Sequence, residues 1–255
     1  MCIRDRVWTA LLVNLFATGY GWMSLRRGYQ SHIGAFTLGI ISVTLTTLAL
    51  GERGELRGAC PLSDPGEIFL FIAWSLSIFF VLTGGAYRVS LLGLFTSPAT
   101  ALFLGLVLVP GMLTESPVRA TELDPWKESH AATSVLAFGA LGLGALAGVM
   151  FLILDSRLKQ QKAGWVSMKM PPVSTLVTSI SRLLLLGVIV LTLGIIAGFL
   201  TSLESGLVHL IAAGGVWVAY LVLLGWYKWI GITPRVFARL TIALFTLSCI
   251  TFAVI

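Results

Sequence analysis

Charge is scarce in this 255-residue chain. Only 11% of residues are Asp, Glu, Lys or Arg, where an ordinary soluble domain carries about 25%. With 57% hydrophobic residues and a mean hydropathy of +0.95, too little polar surface remains to solvate a globule, which excludes a water-soluble enzyme or binding module. Cysteine and histidine are also sparse, three of each. No Cys-x-x-Cys occurs, so a zinc ribbon and a thioredoxin-type redox pair are excluded. A phosphate-cradling glycine loop, a nucleophile elbow and a zincin motif are likewise missing. Nor does a secretory signal stand alone at the start, because the first apolar run has no small-residue cleavage site and further runs follow it. The opening MCIRDR is an abrupt lead-in, so residues 1–6 are read as a truncated or artefactual start and Cys2 carries no weight.

What the chain does have is long uncharged runs. A hydrocarbon core of roughly 30 Å takes about 20 helical residues, and backbone in lipid must satisfy its own hydrogen bonds, so each run is read as a helix. Eight qualify: Val7–Leu25, His32–Leu50, Glu67–Tyr87, Leu91–Leu113, Ser129–Leu154, Leu183–Leu200, Gly206–Trp226 and Arg235–Ile255. The expected fold is an all-α polytopic membrane protein, one membrane domain over residues 1–255. The third and fourth runs are separated only by Arg88, Val89 and Ser90, and Pro98 and Pro110 interrupt the fourth. A single re-entrant element there is the competing reading, and it would move every later loop to the other side.

The charges favour eight spans. With both termini outside, the cytoplasmic loops hold 11 of the 17 basic residues, among them Arg26, Arg27, Arg88, Arg157, Lys159, Lys162, Lys169 and Arg182, and Asp155 is their one acid. The outer face then carries six basic residues against ten acids. This is a positive-inside asymmetry. It accounts for the net charge of +6 through cytoplasmic residues facing anionic lipid headgroups, so membrane lipid is an expected partner and nucleic acid is not.

Placed on this topology, His130 lies at the outer end of the fifth span after ELDPWKES, and His209 at the outer end of the seventh after SLESGL. His32 starts the second span on the opposite side. Ionisable groups at span edges are functional candidates, although a histidine at a helix end also serves simply by hydrogen-bonding a carbonyl. Two histidines are too few for zinc unless carboxylates such as Glu67, Asp124 and Glu204 join them. Haem iron needs only two axial ligands and apolar walls, so bis-histidine haem held by His130 and His209 fits best. Arg53, Arg57, Arg119 and Lys127 lie on the propionate side. Trp74, Trp126 and Trp217 read as interfacial or packing residues before haem stackers.

The segments GERGELRGACPLSDPGEIFLFIAW, SHAATSVLAFGALGLGALAGVMFLI and LTLGIIAG, in that order, resemble the integral membrane family of cytochrome c assembly proteins, the CcsA, ResC and CcmC group, and most of all its eight-span HemX-like branch. The resemblance runs from about Tyr29 onward. It matches the family's Cys-Pro-Leu turn to Cys60, Pro61 and Leu62, with the acid and tryptophan that follow at Glu67 and Trp74. It also matches the family's outer axial histidine to His130. Cys60, Pro61, Glu67 and Trp74 are thereby expected to support the site, and Trp126, beside His130 in sequence, is a further supporting candidate.

Between Gly198 and Trp226 the haem-handling members carry a tryptophan-rich segment ending in Asp-Pro-Lys, then a histidine inside the next helix. This chain has FLTSLESGLVHLIAAGGVWVAYLVLLGW instead, with Leu224 where that histidine would stand. Haem lyase activity by this chain alone is therefore not expected, and His209 as second ligand follows from topology, not from the resemblance.

The resemblance implies an inner-membrane component of cytochrome c biogenesis in a bacterial cytoplasmic membrane, binding or handling haem at the outer face beside other maturation proteins. The alternative is a HemX-like regulatory or accessory protein of haem synthesis acting through its cytoplasmic loops. A small-solute transporter is disfavoured, because no acid or base stands mid-span and no inverted repeat is evident.

Three smaller readings complete the picture. Cys60-Pro61 and Asp64-Pro65 should form a rigid turn capping the third span, with packing the default for Cys60 and Cys249 and a disulfide between them the alternative. Gly139, Gly142, Gly144, Gly148, Gly194 and Gly198 are spaced for close helix packing. The basic stretch KQQKAGWVSMKMPP suits a membrane surface.

Overall fold

The computed structural model describes residues 3–27, 32–87, 90–114, 124–159, 173–200 and 207–254. Eight α-helices account for nearly all of them: α1 (Ile3–Arg27), α2 (His32–Arg57), α3 (Pro65–Tyr87), α4 (Ser90–Val107), α5 (Pro125–Lys159), α6 (Val173–Phe199), α7 (Leu207–Gly225) and α8 (Pro234–Val254). No strand occurs among the described residues. Each apolar run expected to form a helix does so, and the third and fourth runs are two separate helices. The all-α, multi-pass membrane class is thus established. Six helices are by themselves long and apolar enough to cross a bilayer, within α2, α3, α5, α6, α7 through Ile230, and α8, and α4 supplies a shorter apolar segment. Arg88, Arg119, Lys162, Lys169, Trp165, Met168, Glu204 and Cys2 lie outside the described residues.

The chain forms two compact units, α1–α4 and α5–α8. Within the first, α1 packs on α2, α2 on α3, α3 on α4, and α4 closes the ring onto α1. Its core joins Val7 and Ala10 of α1, Ala49 and Leu50 of α2, Leu70 and Ala73 of α3, and Leu104 and Val107 of α4. Three polar residues cross this apolar interior as a bonded chain. The Asn14 amide donates to the Ser42 hydroxyl at 2.8 Å, which lies 3.3 Å from the Ser77 hydroxyl. In lipid, an unbonded polar group has no water to fall back on.

The second unit has the same ring order, α5 on α6, α6 on α7, α7 on α8, and α8 back on α5. Here glycine sets the spacing. A Cβ on Gly144 would come within 2.7 Å of Leu184, and one on Gly187 within 2.6 Å of Leu141. These approaches let α5 and α6 lie against each other, antiparallel. At the far end of this unit Asp155 on α5 pairs with Arg235 on α8.

Helix ends depart from the expected limits for local reasons. The apolar run of α2 stops at Leu50, but the helix continues through the charged GERGELR and ends where Gly58 takes a left-handed conformation at φ 68°. There its N–H donates to the Gly54 carbonyl. The fourth helix was expected to reach Leu113 and stops at Val107. Pro110 has no N–H to donate and restricts Val109 before it, so residues 108–113 form turns and Gly111 adopts φ 86°.

Candidate functional site

Two polar regions have the chemistry to be functional, one in each unit. The first is the turn between α2 and α3. Arg53, on the last turns of α2, is 1% exposed. Its Nε donates to Glu67 Oε1 at 2.8 Å, one terminal nitrogen donates to the Thr114 carbonyl at 2.7 Å, and the other to Asp64 Oδ2 at 2.9 Å. Glu67 is 0% exposed. Its Oε2 accepts from the backbone N–H groups of Ser63 and Asp64 at 2.9 and 3.3 Å, the reach-back of a capping box at the start of α3. Arg57 lies 3.8 Å from that oxygen and donates to the Cys60 carbonyl at 2.7 Å. The two arginines and two acids balance in charge, as the fully buried pair of Arg53 and Glu67 requires.

The same network fastens the segment after α4. The Thr114 hydroxyl donates to Asp64 at 2.5 Å, and the Gly66 N–H donates to the Met112 carbonyl at 2.7 Å. A side chain at position 66 would strike that carbonyl, since its Cβ would lie 2.6 Å away. Burial pushes the Asp64 carboxyl up, but the Thr114 hydroxyl and amide and the charges of Arg53 and Arg57 outweigh it and hold the group below its ordinary value. A cavity of about 530 Å³ borders Arg53 and is otherwise walled by residues such as Val7, Val107 and Leu113.

Arg53 was expected to be an outward basic group available to propionates. It is instead buried and bonded through all three guanidinium nitrogens, and Glu67 is its partner. Pro61 is buried in the turn. Trp74 turns its indole N–H onto the Thr47 hydroxyl at 2.8 Å and meets Phe71 edge-on, which makes it a strut between α3 and α2. Cys60 belongs to the first unit and Cys249 to the second.

The second region is the start of α5. Asp124 caps the helix, its carboxylate accepting from the Trp126 N–H at 3.0 Å, and Pro125 occupies the first helical position. Trp126 is 49% exposed, as an interfacial residue would be. One turn on, the His130 ring is half-buried and its Nδ1 lies 2.7 Å from the Gly194 carbonyl on α6. His209 is in the first turn of α7, and its side chain, like that of His32, lies outside the described residues. Trp217 of α7 donates to Thr192 of α6 at 2.8 Å, so α7 runs back from the end at which α6 stops. The backbone positions of His130 and His209 therefore belong to the same end of this unit. Among the described residues no group of three or more His, Cys, Asp or Glu side chains is placed to hold a metal ion. A single ring nitrogen presented from a helix start suits an axial position on a haem iron.

Among the described residues, six helices long and apolar enough to cross a bilayer and a shorter seventh apolar segment define a multi-pass membrane protein, with Arg182 inside α6 rather than in the loop where it was expected. The profile of the Cytochrome C assembly protein family matches residues 62–255, and the chain belongs to that family. The match takes in Glu67, Trp74, Trp126, His130 and His209 and begins just after Cys60 and Pro61. Relatives include the cytochrome c biogenesis protein CcsA of Trichodesmium erythraeum, 28% identical over 142 residues, which are 54% of this chain and 40% of the relative. The CcsA of Trichormus variabilis is 27% identical over 125 residues, 48% of this chain and 35% of the relative. That of Trieres chinensis is 28% identical over 148 residues, 55% and 47% respectively. The chain thus spans less than half the length of each of these relatives.

Proposed function

We propose that this protein is a haem-handling component of cytochrome c biogenesis, and that His130 is an axial ligand with His209 the candidate second. The observation that carries the reading is family membership over a stretch containing His130, together with a His130 ring held half-buried at the start of α5. His130 binds and orients, α6 supports its ring, and the apolar helix walls exclude water. Haem, when bound, is cargo to be passed on, so partners among other cytochrome c maturation proteins follow. Trp126 supports the site at the start of α5, and Cys60, Pro61, Glu67 and Trp74 act within the first unit, holding the turn between α2 and α3. We place both termini and the site on the outer side of a bacterial cytoplasmic membrane, with eight spans in one membrane domain, on the strength of the positive-inside asymmetry. No lyase chemistry is assigned to the chain alone.

The HemX-like regulatory or accessory role is the second reading, and the missing tryptophan-rich segment between Gly198 and Trp226 favours it. The two separate by substitution. Haem handling predicts that His130→Ala abolishes function in cells while replacing Lys159, Lys162 and Lys169 does not. Regulation through the cytoplasmic loops predicts the reverse.

A further inference from the structure

We propose that Gly194 is a positioning residue that holds His130 as the Nδ1–H tautomer and leaves Nε2 as the ring's available lone pair. A carbonyl oxygen has no proton to give, so the 2.7 Å contact between Nδ1 and the Gly194 oxygen is a hydrogen bond only if Nδ1 carries the hydrogen. The neutral ring then has its unshared pair on Nε2. A backbone carbonyl has a second lone pair beyond the one used along its helix, so α6 loses nothing by accepting.

Glycine is needed because of how close the helices lie. A Cβ at position 194 would stand 2.9 Å from the Thr133 hydroxyl and 3.2 Å from that of Ser134. Thr133 is not free to yield without cost, since its hydroxyl donates to the Ser129 carbonyl at 2.6 Å and lies 3.2 Å from the His130 carbonyl. A larger residue would push α6 away and lengthen the bond to His130. Histidines that ligate metals commonly donate their other ring N–H to such an acceptor, which fixes the tautomer and raises ligand basicity. The tautomer assignment stands on this geometry alone. Its use for ligating iron through Nε2 rests on the proposed function.

The test is nitrogen NMR of the ring in the detergent-solubilised, haem-free protein labelled at histidine, at a pH where the ring is neutral and with His130→Ala to assign the signals. The native protein should show a protonated Nδ1 and an unprotonated Nε2 at His130. Gly194→Ala should shift the ring toward the Nε2–H form that free histidine prefers, and Thr133→Ala/Gly194→Ala, which makes room for the new methyl group, should restore the native tautomer. Haem titration of the same proteins should show about 10–100-fold weaker binding for Gly194→Ala alone. A native His130 in the Nε2–H form overturns the proposal whether or not haem binds. A native Nδ1–H ring that survives Gly194→Ala unchanged removes the role of glycine. An Nδ1–H ring restored by the double variant, with haem binding insensitive to His130→Ala, upholds the positioning and refutes the haem reading.

Discussion

Two helices of this protein begin with Asp-Pro, and their aspartates are used differently. Asp124 turns back onto its own helix and caps it, a local arrangement that leaves the next residues, Trp126 among them, facing outward. Asp64 turns away from α3. It binds Arg53 and Thr114, the Gly66 N–H goes to the Met112 carbonyl, and Glu67 reaches back to the N–H groups of Ser63 and Asp64. The same dipeptide thus closes a local turn in one unit and a tertiary latch in the other. The difference lies in the neighbours. A buried arginine must find counter-charges, and it draws both acids of the turn to itself. A rigid, neutralised turn is suited to holding a shape, and the lightly bonded start of α5 is suited to presenting a ligand.

The comparison breaks most sharply at Arg53. Arg53→Met removes the donor to Glu67 Oε1 and to Asp64 Oδ2, leaving the buried Glu67 with Arg57 at 3.8 Å as its remaining counter-charge, and should cost about 3–5 kcal/mol, measured as loss of stability to denaturant in detergent. A loss under about 1 kcal/mol would mean the latch is dispensable. Next in size is Gly66→Ala, whose methyl group meets the fixed Met112 carbonyl and should destabilise by about 1–3 kcal/mol. Its counterpart at the other Asp-Pro start, the half-exposed Trp126, should tolerate Trp126→Ala within about 0.5 kcal/mol, and equal effects at the two positions would erase the distinction. Asp124→Ala should cost about 1 kcal/mol, the usual worth of an N-cap, read in the same unfolding assay.

The smallest effect is on pH. The Asp64 carboxyl sits below its ordinary value of 3.8, so its contribution is fully present above that value and is lost as pH falls through the lower folded value. Protease cleavage within residues 58–64 should therefore stay constant between neutral pH and about pH 5 and rise only in stronger acid. A rise already near pH 6 would contradict the assignment.

The helices were legible because lipid demands them. Long apolar runs in a chain with so little charge have no other way to satisfy their backbones. Their ends were less legible. Nothing in the apolar count marks the charged GERGELR as the last turns of α2, and the stop of α4 at Val107 depends on Pro110 and on how residues 108–114 pack. The latch was the least legible feature. Arg53 and Glu67 stand in the sequence as groups at a span end, and nothing in their spacing pairs them. The available clue was the Asp-x-x-Glu spacing of Asp64 and Glu67, which announces a capping box and hence a Glu67 turned inward. Gly194 was legible as a packing glycine, but the carbonyl it brings to His130 depends on the register between α5 and α6, which no single sequence discloses.

The most direct test of the account is the visible spectrum of the detergent-purified protein, oxidised and reduced, with and without added haem, for the native chain beside His130→Ala and His209→Ala. A six-coordinate haem spectrum in the native protein, lost in both variants, is the result predicted for a site built on these two histidines. No haem signal even after haem is supplied, or a signal indifferent to His130→Ala, would contradict it and leave the accessory role as the better description.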